Sequence, residues 1–538
     1  MVITSRTRNA VVGQPARGFE SHLFRRFRSI LGVDMHSDSL KSDKKRFLWL
    51  LSAFLLLFSF LPPTVTADGP AADITSDAVV TGNGYSDFRF LFDGNLGNFS
   101  NSAGNADIRF DSKTPIGGIY IIFDLEYGEY IIIDNDTAET ASVGKNSYLH
   151  DYIDLSTCFT ALPDSITIRF NNGTVRLSEI MLFSSGAPPD YVQIWQPPLE
   201  GRADIVLFST HSDDDQLFFA GLLPLYAGQK GLNVQVVYLT DHRNATNRRA
   251  HEMVNGLWAV GVRNYPVLGP FADFRIDDRE KTYERYRNMG ISESVLLEYV
   301  VRQVRRFRPQ VAVTHDINGE YGHGMHRVYA DLLIKSLDVT ADASQYPESA
   351  QMYGTWEIPK LYIHLYTKNK VVIDYDQPLD RFGGMTAFQV SQKLGYPCHI
   401  TQQGTWYTGW LNGTGGNRIT RASQISSYNP CYFGLYRSTV GPDMGQNDFM
   451  EHIVPYAEQE RIARENYLRQ LRRDTAFALA KDRLMPEPEK DYSPLAHIAL
   501  CITSAAVILW LLYLTVSSKR NRRHVRKRLR RKQRAEKG

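Results

Sequence analysis

Two short stretches of this chain hold side chains of the kind that carry out chemistry. The first is Thr210-His211-Ser212-Asp213-Asp214-Asp215. The second is Thr314-His315-Asp316-Ile317-Asn318-Gly319-Glu320-Tyr321-Gly322-His323-Gly324-Met325-His326. Three adjacent carboxylates repel one another unless a cation compensates them. Three of the chain's 14 His fall in the second stretch, far more than an even spread would place there. Neutral imidazoles plus a carboxylate suit Zn²⁺ with one position left open for water. The same donors suit non-haem Fe²⁺. A spare carboxylate beside such ligands is placed to act as a general base on an attacking water. The bland alternatives are a hydrated acidic helix start and structural, hydrogen-bonding histidines. Two such clusters in one domain favour a cation site.

Both clusters follow apolar runs of strand type, 204–209 and 311–313. Between and after them the pattern alternates. A helix is predicted over 214–228, with Leu217, Phe218, Gly221, Leu222 and Leu225 on one stripe. A strand follows at 234–239, then helices at 248–260 and 293–307, a strand at 311–314 and a helix at 325–337. Strands alternating with helices predict an α/β domain over 200–450, a Rossmann-like, mostly parallel sheet covered on both faces. In such sheets ligands bind beyond the carboxyl ends of the strands, where both clusters lie. Asp241, His242 and Arg243 end the 234–239 strand and are candidate substrate contacts, a plain turn being the alternative.

Residues 73–186 read differently. Short β-branched or aromatic runs at 119–123, 130–133, 165–170 and 179–183 are separated by Gly, Asn and Asp turns. This predicts an antiparallel β-sandwich. Pro188-Pro189 and Pro197-Pro198 mark the linker between the two regions. A charge-rich helix over 456–484, with Pro486 and Pro488 after it, reads as a stalk within 456–490.

The composition, 43% hydrophobic and 12% aromatic over 538 residues, excludes a disordered or collagen-like chain. Four Cys over this length exclude a disulfide-built scaffold. The net charge of +3 conceals three unlike parts. Residues 519–538 hold twelve Lys/Arg and one Glu, and residues 1–46 hold ten Lys/Arg and four acids, which leaves −14 on the rest. The apolar run 47–61, with basic residues before it and Val65-Thr66-Ala67 after it, reads as an export signal within 1–67. Met35 offers a shorter start. The 22-residue apolar run 495–516 is long enough to span a bilayer. The basic tail 517–538 would hold its end in the cytoplasm. The expectation is a single-pass membrane protein with an extracytoplasmic catalytic body and no nucleic-acid partner. An exported body allows Cys398 and Cys431 to pair, with Cys158 free. Asn98, Asn135, Asn172, Asn244 and Asn412 head glycosylation sequons, which chance alone also produces.

The two clusters resemble the motifs of the PIG-L/LmbE zinc-dependent de-N-acetylases, which read His-Pro-Asp-Asp-Glu and, later, Tyr-Gly-His-Pro-Asp-His. The resemblance runs over 202–436 and takes in Arg249-x-x-Glu252, Val260-Gly261-Val262, Lys360-Leu361-Tyr362 and Ser391-Gln392. It implies that His211, Asp214 and His326 are the metal ligands and that Asp213 is the general base. It implies that His323 is the cation that stabilises the oxyanion or protonates the leaving amine. Tyr321 would be the mobile tyrosine that polarises the acetyl carbonyl. Ser212 stands in place of Pro, Asp215 in place of Glu, and Gly324-Met325 in place of Pro-Asp. The last change removes a carboxylate near His323, for which Asp316 or Glu320 is the expected substitute. Asp215, His315, Asp316 and Arg243 are expected behind the ligands or against substrate. Leu91-Phe92-Asp93-Gly94-Asn95 and 175–183 resemble discoidin-like, galactose-binding-like sandwiches, which often bind glycans. A spacer domain is the alternative there.

The expected activity is metal-dependent removal of acetate from an N-acetylglucosamine-type sugar in a surface glycan or glycoconjugate. The rivals are a non-catalytic surface sugar-binding protein on a degenerate deacetylase fold, and a phosphoesterase-like hydrolase needing two metals.

Overall fold

A computed structural model describes residues 69–145, 147–241 and 248–484. The expected export signal, the 495–516 run, the basic tail and Arg243 lie outside the described residues. Among the described residues no helix is long and apolar enough to cross a membrane.

The first eight strands are β1 (Val79–Tyr85), β2 (Ser100–Asp111), β3 (Gly118–Phe123), β4 (Tyr130–Asp134), β5 (Thr140–Val143), β6 (His150–Asp154), β7 (Ser165–Phe170) and β8 (Arg176–Phe183). They pair antiparallel in the order β5-β4-β7-β2-β8-β3-β6, with β1 also on β2. β2 joins the two halves. Ala106 to Asp111 pair with β7, while Ser100 and Asn101 pair with β8. Ile108, Phe110, Ile121, Phe123, Ile166, Ile168, Leu177, Ile180 and Leu182 fill one core between the halves. Alternate residues of β4 are buried, as expected for a strand with one face on a core.

The second sheet holds β9 (Ile205–Ser209), β10 (Val234–Tyr238), β11 (Val311–Thr314), β12 (Lys360–His364), β13 (Lys370–Val372) and β14 (Tyr432–Ser438), in the order β10-β9-β11-β12-β14-β13. The first four are parallel, and β14 and β13 close the edge antiparallel. Every residue of β9, β10, β11 and β12 is buried, the signature of strands covered on both faces. On one face Val206, Phe208, Val237, Ala312, Leu361 and Ile363 pack with Leu296, Val300, Val304 and Phe307 of the helix Glu293–Phe307 and with Val328, Leu332 and Leu333 of the helix Gly324–Ser336. Ser292 caps the first of these helices by accepting the Val295 N–H. The final helix, Tyr456–Leu484, leaves the body, and every residue from 459 to 477 is exposed.

Two expectations fail. The predicted helix over 214–228 is a series of turns, followed by a π-helix, Pro224–Gln229. Phe219 donates its N–H to Asp214 O, five residues back. Gly221 sits at φ +100°, which a right-handed helix cannot contain, and a Cβ there would meet Tyr375 at 2.5 Å. The apolar stripe was real but incomplete, because Leu217, Phe218, Phe219, Ala220, Leu222 and Leu223 are all fully buried. Cys398 and Cys431 do not pair; they and Cys158 are free thiols. Cys431 is buried beside β14, while Cys398 ends the short turn Tyr396–Cys398 with its Sγ on Leu394 O at 3.3 Å.

Candidate active site

β9 and β11 are parallel neighbours, with Phe208 opposite Thr314. Chain leaving their carboxyl ends therefore emerges side by side, and this brings two clusters a hundred residues apart in sequence into contact. His211 Nδ1, Asp214 Oδ2 and His326 Nε2 converge. Their separations are 2.9 Å for His211–Asp214, 3.2 Å for His326–Asp214 and 3.2 Å for His326–His211. Tetrahedral ligands about 2.0–2.1 Å from Zn²⁺ lie roughly 3.3 Å apart, so this triangle fits one face of such a shell.

The outer nitrogens of the two rings support the same assignment. His326 Nδ1 donates to Glu320 Oε2 at 2.7 Å, and His211 Nε2 donates to Asp273 Oδ1 at 3.0 Å. Each carboxylate fixes the tautomer that leaves the inner nitrogen free for a cation. His315 also lies close to Asp214 and His326. Its Nε2, however, accepts the Thr210 N–H at 2.9 Å and its Nδ1 donates to Glu320 at 2.8 Å. Both of its nitrogens are committed, so His315 orients the ligands rather than joining them.

Electrostatics follow the same geometry. Burial alone would lower His211 and His326, but Asp214, Asp273 and Glu320 outweigh it and hold them at about 10 and about 9. Burial opposes ionisation of Asp214, yet His326 and His211 hold it well below the usual carboxylate range. Such a cluster holds protons until a cation replaces them.

Asp213 faces the same cleft. Burial raises its pKa, opposed by the Arg249 guanidinium, whose Nη2 is 3.3 Å from Asp213 Oδ1 and 3.2 Å from Ser212 Oγ. With its amide oriented to suit its neighbours, Gln402 donates to Asp213 Oδ2 at 3.3 Å and accepts from Arg249. Tyr321 sits at φ 45°, a left-handed conformation that costs a residue other than Gly about 1 kcal/mol or more. Gly319, at φ +69°, makes the turn that allows it.

His323 is the N-cap of the helix Gly324–Ser336, and its Nδ1 accepts the Met325 N–H at 3.2 Å. Its proton therefore belongs on Nε2. Burial first, then His326 and His211, push its pKa down to about 3. The substitute carboxylate expected from Asp316 or Glu320 is not there. Asp316 closes its own turn by accepting the Asn318 N–H. Glu320 turns inward to His315, His326 and His364. Asp273 and Asp214 are the carboxylates whose charge acts on His323. Asp215 takes a hydrogen bond from Gln216, and burial pushes its carboxyl well above the usual carboxylate range. The Asp241 N–H bonds Phe271 O at 2.8 Å.

The cleft, about 490 Å³, is also lined by Arg275, Asp277, Trp406 and Tyr407. Asp273, His364, Gln402, Trp406 and Tyr407 went unread in the sequence. Faint signals were present: charged residues alternate with apolar ones at Asp273, Arg275 and Asp277, and Trp406, Tyr407 and Trp410 crowd one short helix.

Residues 206–337 match the family described as PIG-L: GlcNAc-PI de-N-acetylase. The chain is similar to a 1D-myo-inositol 2-acetamido-2-deoxy-alpha-D-glucopyranoside deacetylase 1 of Frankia alni, 36% identical over 31% of this chain and 64% of that one. It is also similar to the protein of the same name from Catenulispora acidiphila, 26% identical over 29% of this chain and 54% of the relative. The chain thus spans about half the length of the curated relatives it matches. Among solved structures, an N,N'-diacetylchitobiose deacetylase from Pyrococcus horikoshii overlaps 47% of this chain and 88% of its own, at 16% identity and a TM-score of 0.29. Residues 206–337, which carry both clusters, match the PIG-L family, and the proteins this chain is similar to include deacetylases.

Proposed function

We propose that this protein hydrolyses the N-acetyl group of an N-acetylglucosamine-type sugar in a surface glycan or glycoconjugate, with a divalent cation, Zn²⁺ or Fe²⁺, at its centre. The observation that carries the reading is the triangle of His211, Asp214 and His326, each imidazole held by a carboxylate on its outer nitrogen, with Asp213 beside it in one cleft. A cation on these three residues would supply Lewis-acid polarisation of the amide carbonyl. Asp213 takes a proton from the attacking water, its raised pKa making it a stronger base than an exposed carboxylate. Tyr321, kept protonated by burial and by Asp214, donates to the developing oxyanion. His323 presents its Nε2–H towards the leaving nitrogen. Asp213 passes the proton it took from water to the leaving nitrogen, the C–N bond breaks, acetate departs, and the sugar keeps a free amine.

The reading extends to location. An exported body with a single C-terminal span rests on the apolar run 495–516 and the basic tail that follows it. The β-sandwich over 73–186 would hold the glycan near the site.

Acetate release from a panel of N-acetylated sugars by the purified, metal-loaded protein tests the activity, with metal content measured alongside. We expect release and one metal per chain. Metal bound without release from any sugar points to the non-catalytic sugar-binding protein, and two metals per chain point to the phosphoesterase-like hydrolase. Protease protection in intact membranes tests the topology. Digestion of the body from the cytoplasmic face overturns it.

A further inference from the structure

One wall of the cleft is built by residues the proposed chemistry does not use. Trp406 and Tyr407 open the helix Trp406–Asn412, outside the family-matched residues 206–337. Trp406 is 49% exposed, although it lies in the cleft that holds His211 and Asp214. Its ring is 4.2 Å from Tyr407 and 5.4 Å from Tyr321, edge-on to the latter. The helix is anchored from behind. Leu411 is buried, the Trp410 indole donates to Ser427 O at 2.9 Å, and Gln392 donates to Leu411 O at 2.9 Å. The aromatic pair is therefore held as a fixed surface.

The same cleft takes its polar lining from the extended stretch after Phe271. Asp273, Arg275 and Asp277 are exposed at alternate positions, while Phe274 and Ile276 between them are partly buried. An apolar aromatic face together with a row of charged hydrogen-bonding groups matches a sugar ring, which offers C–H faces and hydroxyl edges. A large exposed aromatic in a concave wall marks a ligand groove better than it marks a core.

We propose that Trp406 and Tyr407, with Asp273, Arg275 and Asp277, form a subsite for a second sugar ring joined to the N-acetylated one. The substrate is then an oligosaccharide or glycoconjugate rather than free N-acetylglucosamine. This deepens the deacetylase reading and rests on it for where the acetamido group sits.

The test compares acetate release from N-acetylglucosamine and from its short β-1,4-linked oligomers by the metal-loaded full chain and by Trp406→Ala. The unaltered protein is expected to prefer oligomers. Trp406→Ala should lower kcat/KM on oligomers about tenfold, the scale of one stacking contact, and on the monosaccharide by less than about threefold. An equal fall on both substrates, or no fall, overturns the subsite. If the unaltered protein releases acetate from nothing, the deacetylase reading fails, and oligomer binding followed by tryptophan fluorescence and calorimetry still judges the subsite. Saturable binding lost in Trp406→Ala supports it, and absence of binding overturns it.

Discussion

Two groups of buried histidine in this molecule behave in opposite ways. His211 and His326 at the site are held at about 10 and about 9. His150 and His251, where the sandwich meets the second domain, are equally hidden, yet burial pushes His251 down to about 4 and holds His150 well below the usual imidazole range. Burial acts on all four in the same direction. The difference is the company they keep. Asp214, Asp273 and Glu320 face the site rings. His150 and His251 face each other with ring centres 6.1 Å apart, and His150 Nδ1 bonds only the Tyr120 hydroxyl. No hydrogen-bond partner reaches either nitrogen of His251 among the described residues. A buried histidine is thus no sign of a cation site by itself. Imidazoles backed by carboxylates, with their inner nitrogens converging, are such a sign.

The sharpest way to break the contrast is to separate cation binding from chemistry within the site group. Asp213→Asn leaves the His211, Asp214 and His326 triangle in place and removes only the base. We expect kcat to fall by roughly 10²–10⁴-fold while metal content per chain is unchanged. Loss of metal in this variant would mean that Asp213 belongs with the ligands.

The meeting of the two clusters was legible in the sequence pattern, whereas the choice of His211, Asp214 and His326 within them came from the family resemblance. Apolar runs before each cluster place it at the carboxyl end of a strand, and the alternation of elements makes those strands parallel. The helix Glu293–Phe307, the strand Val311–Thr314 and the helix Tyr456–Leu484 fall where their patterns put them. The carboxylates behind the triangle were not legible. Glu320 faces three imidazoles only because Gly319 and Tyr321 both adopt positive φ, and no local period announces such a turn. Asp273 comes from an irregular extended stretch, and its ring partner lies 62 residues away. His364 reaches Glu320 because β12 lies beside β11, a pairing set by the sheet order and not by spacing along the chain. The turns over residues 214–221 carry a helical pattern because a segment buried on every side shows an apolar stripe wherever one is sought.

Glu320 offers the next test, because it is what makes the site rings unlike the junction rings. Its carboxylate takes the Nδ1–H of His326 at 2.7 Å, of His315 at 2.8 Å and of His364 at 2.6 Å, and the Asp316 N–H at 3.1 Å. Glu320→Gln keeps the shape and removes the charge. Metal affinity, measured by competition with a chelator, should fall by about 10–100-fold. Unchanged affinity would show that the ligand geometry needs no carboxylate behind it.

The smallest effect is expected at the junction, and it is one of stability. His251 has a folded pKa of about 4, against roughly 6.5 in an unfolded chain. The unfolded state therefore binds the proton first. Stability is complete above about pH 6.5 and falls as pH drops towards 4, by on the order of 1–2 kcal/mol at pH 5 from this residue. His251→Leu removes the titrating group without breaking a hydrogen bond seen in the fold. His150 acts in the same direction in both proteins, so the difference between them isolates His251. Denaturant midpoints at pH 7 and pH 5 should show the unaltered chain losing more stability on acidification than the variant. Equal losses would mean that a carboxylate or water satisfies His251 after all, and the two histidine groups would then differ in degree and not in kind.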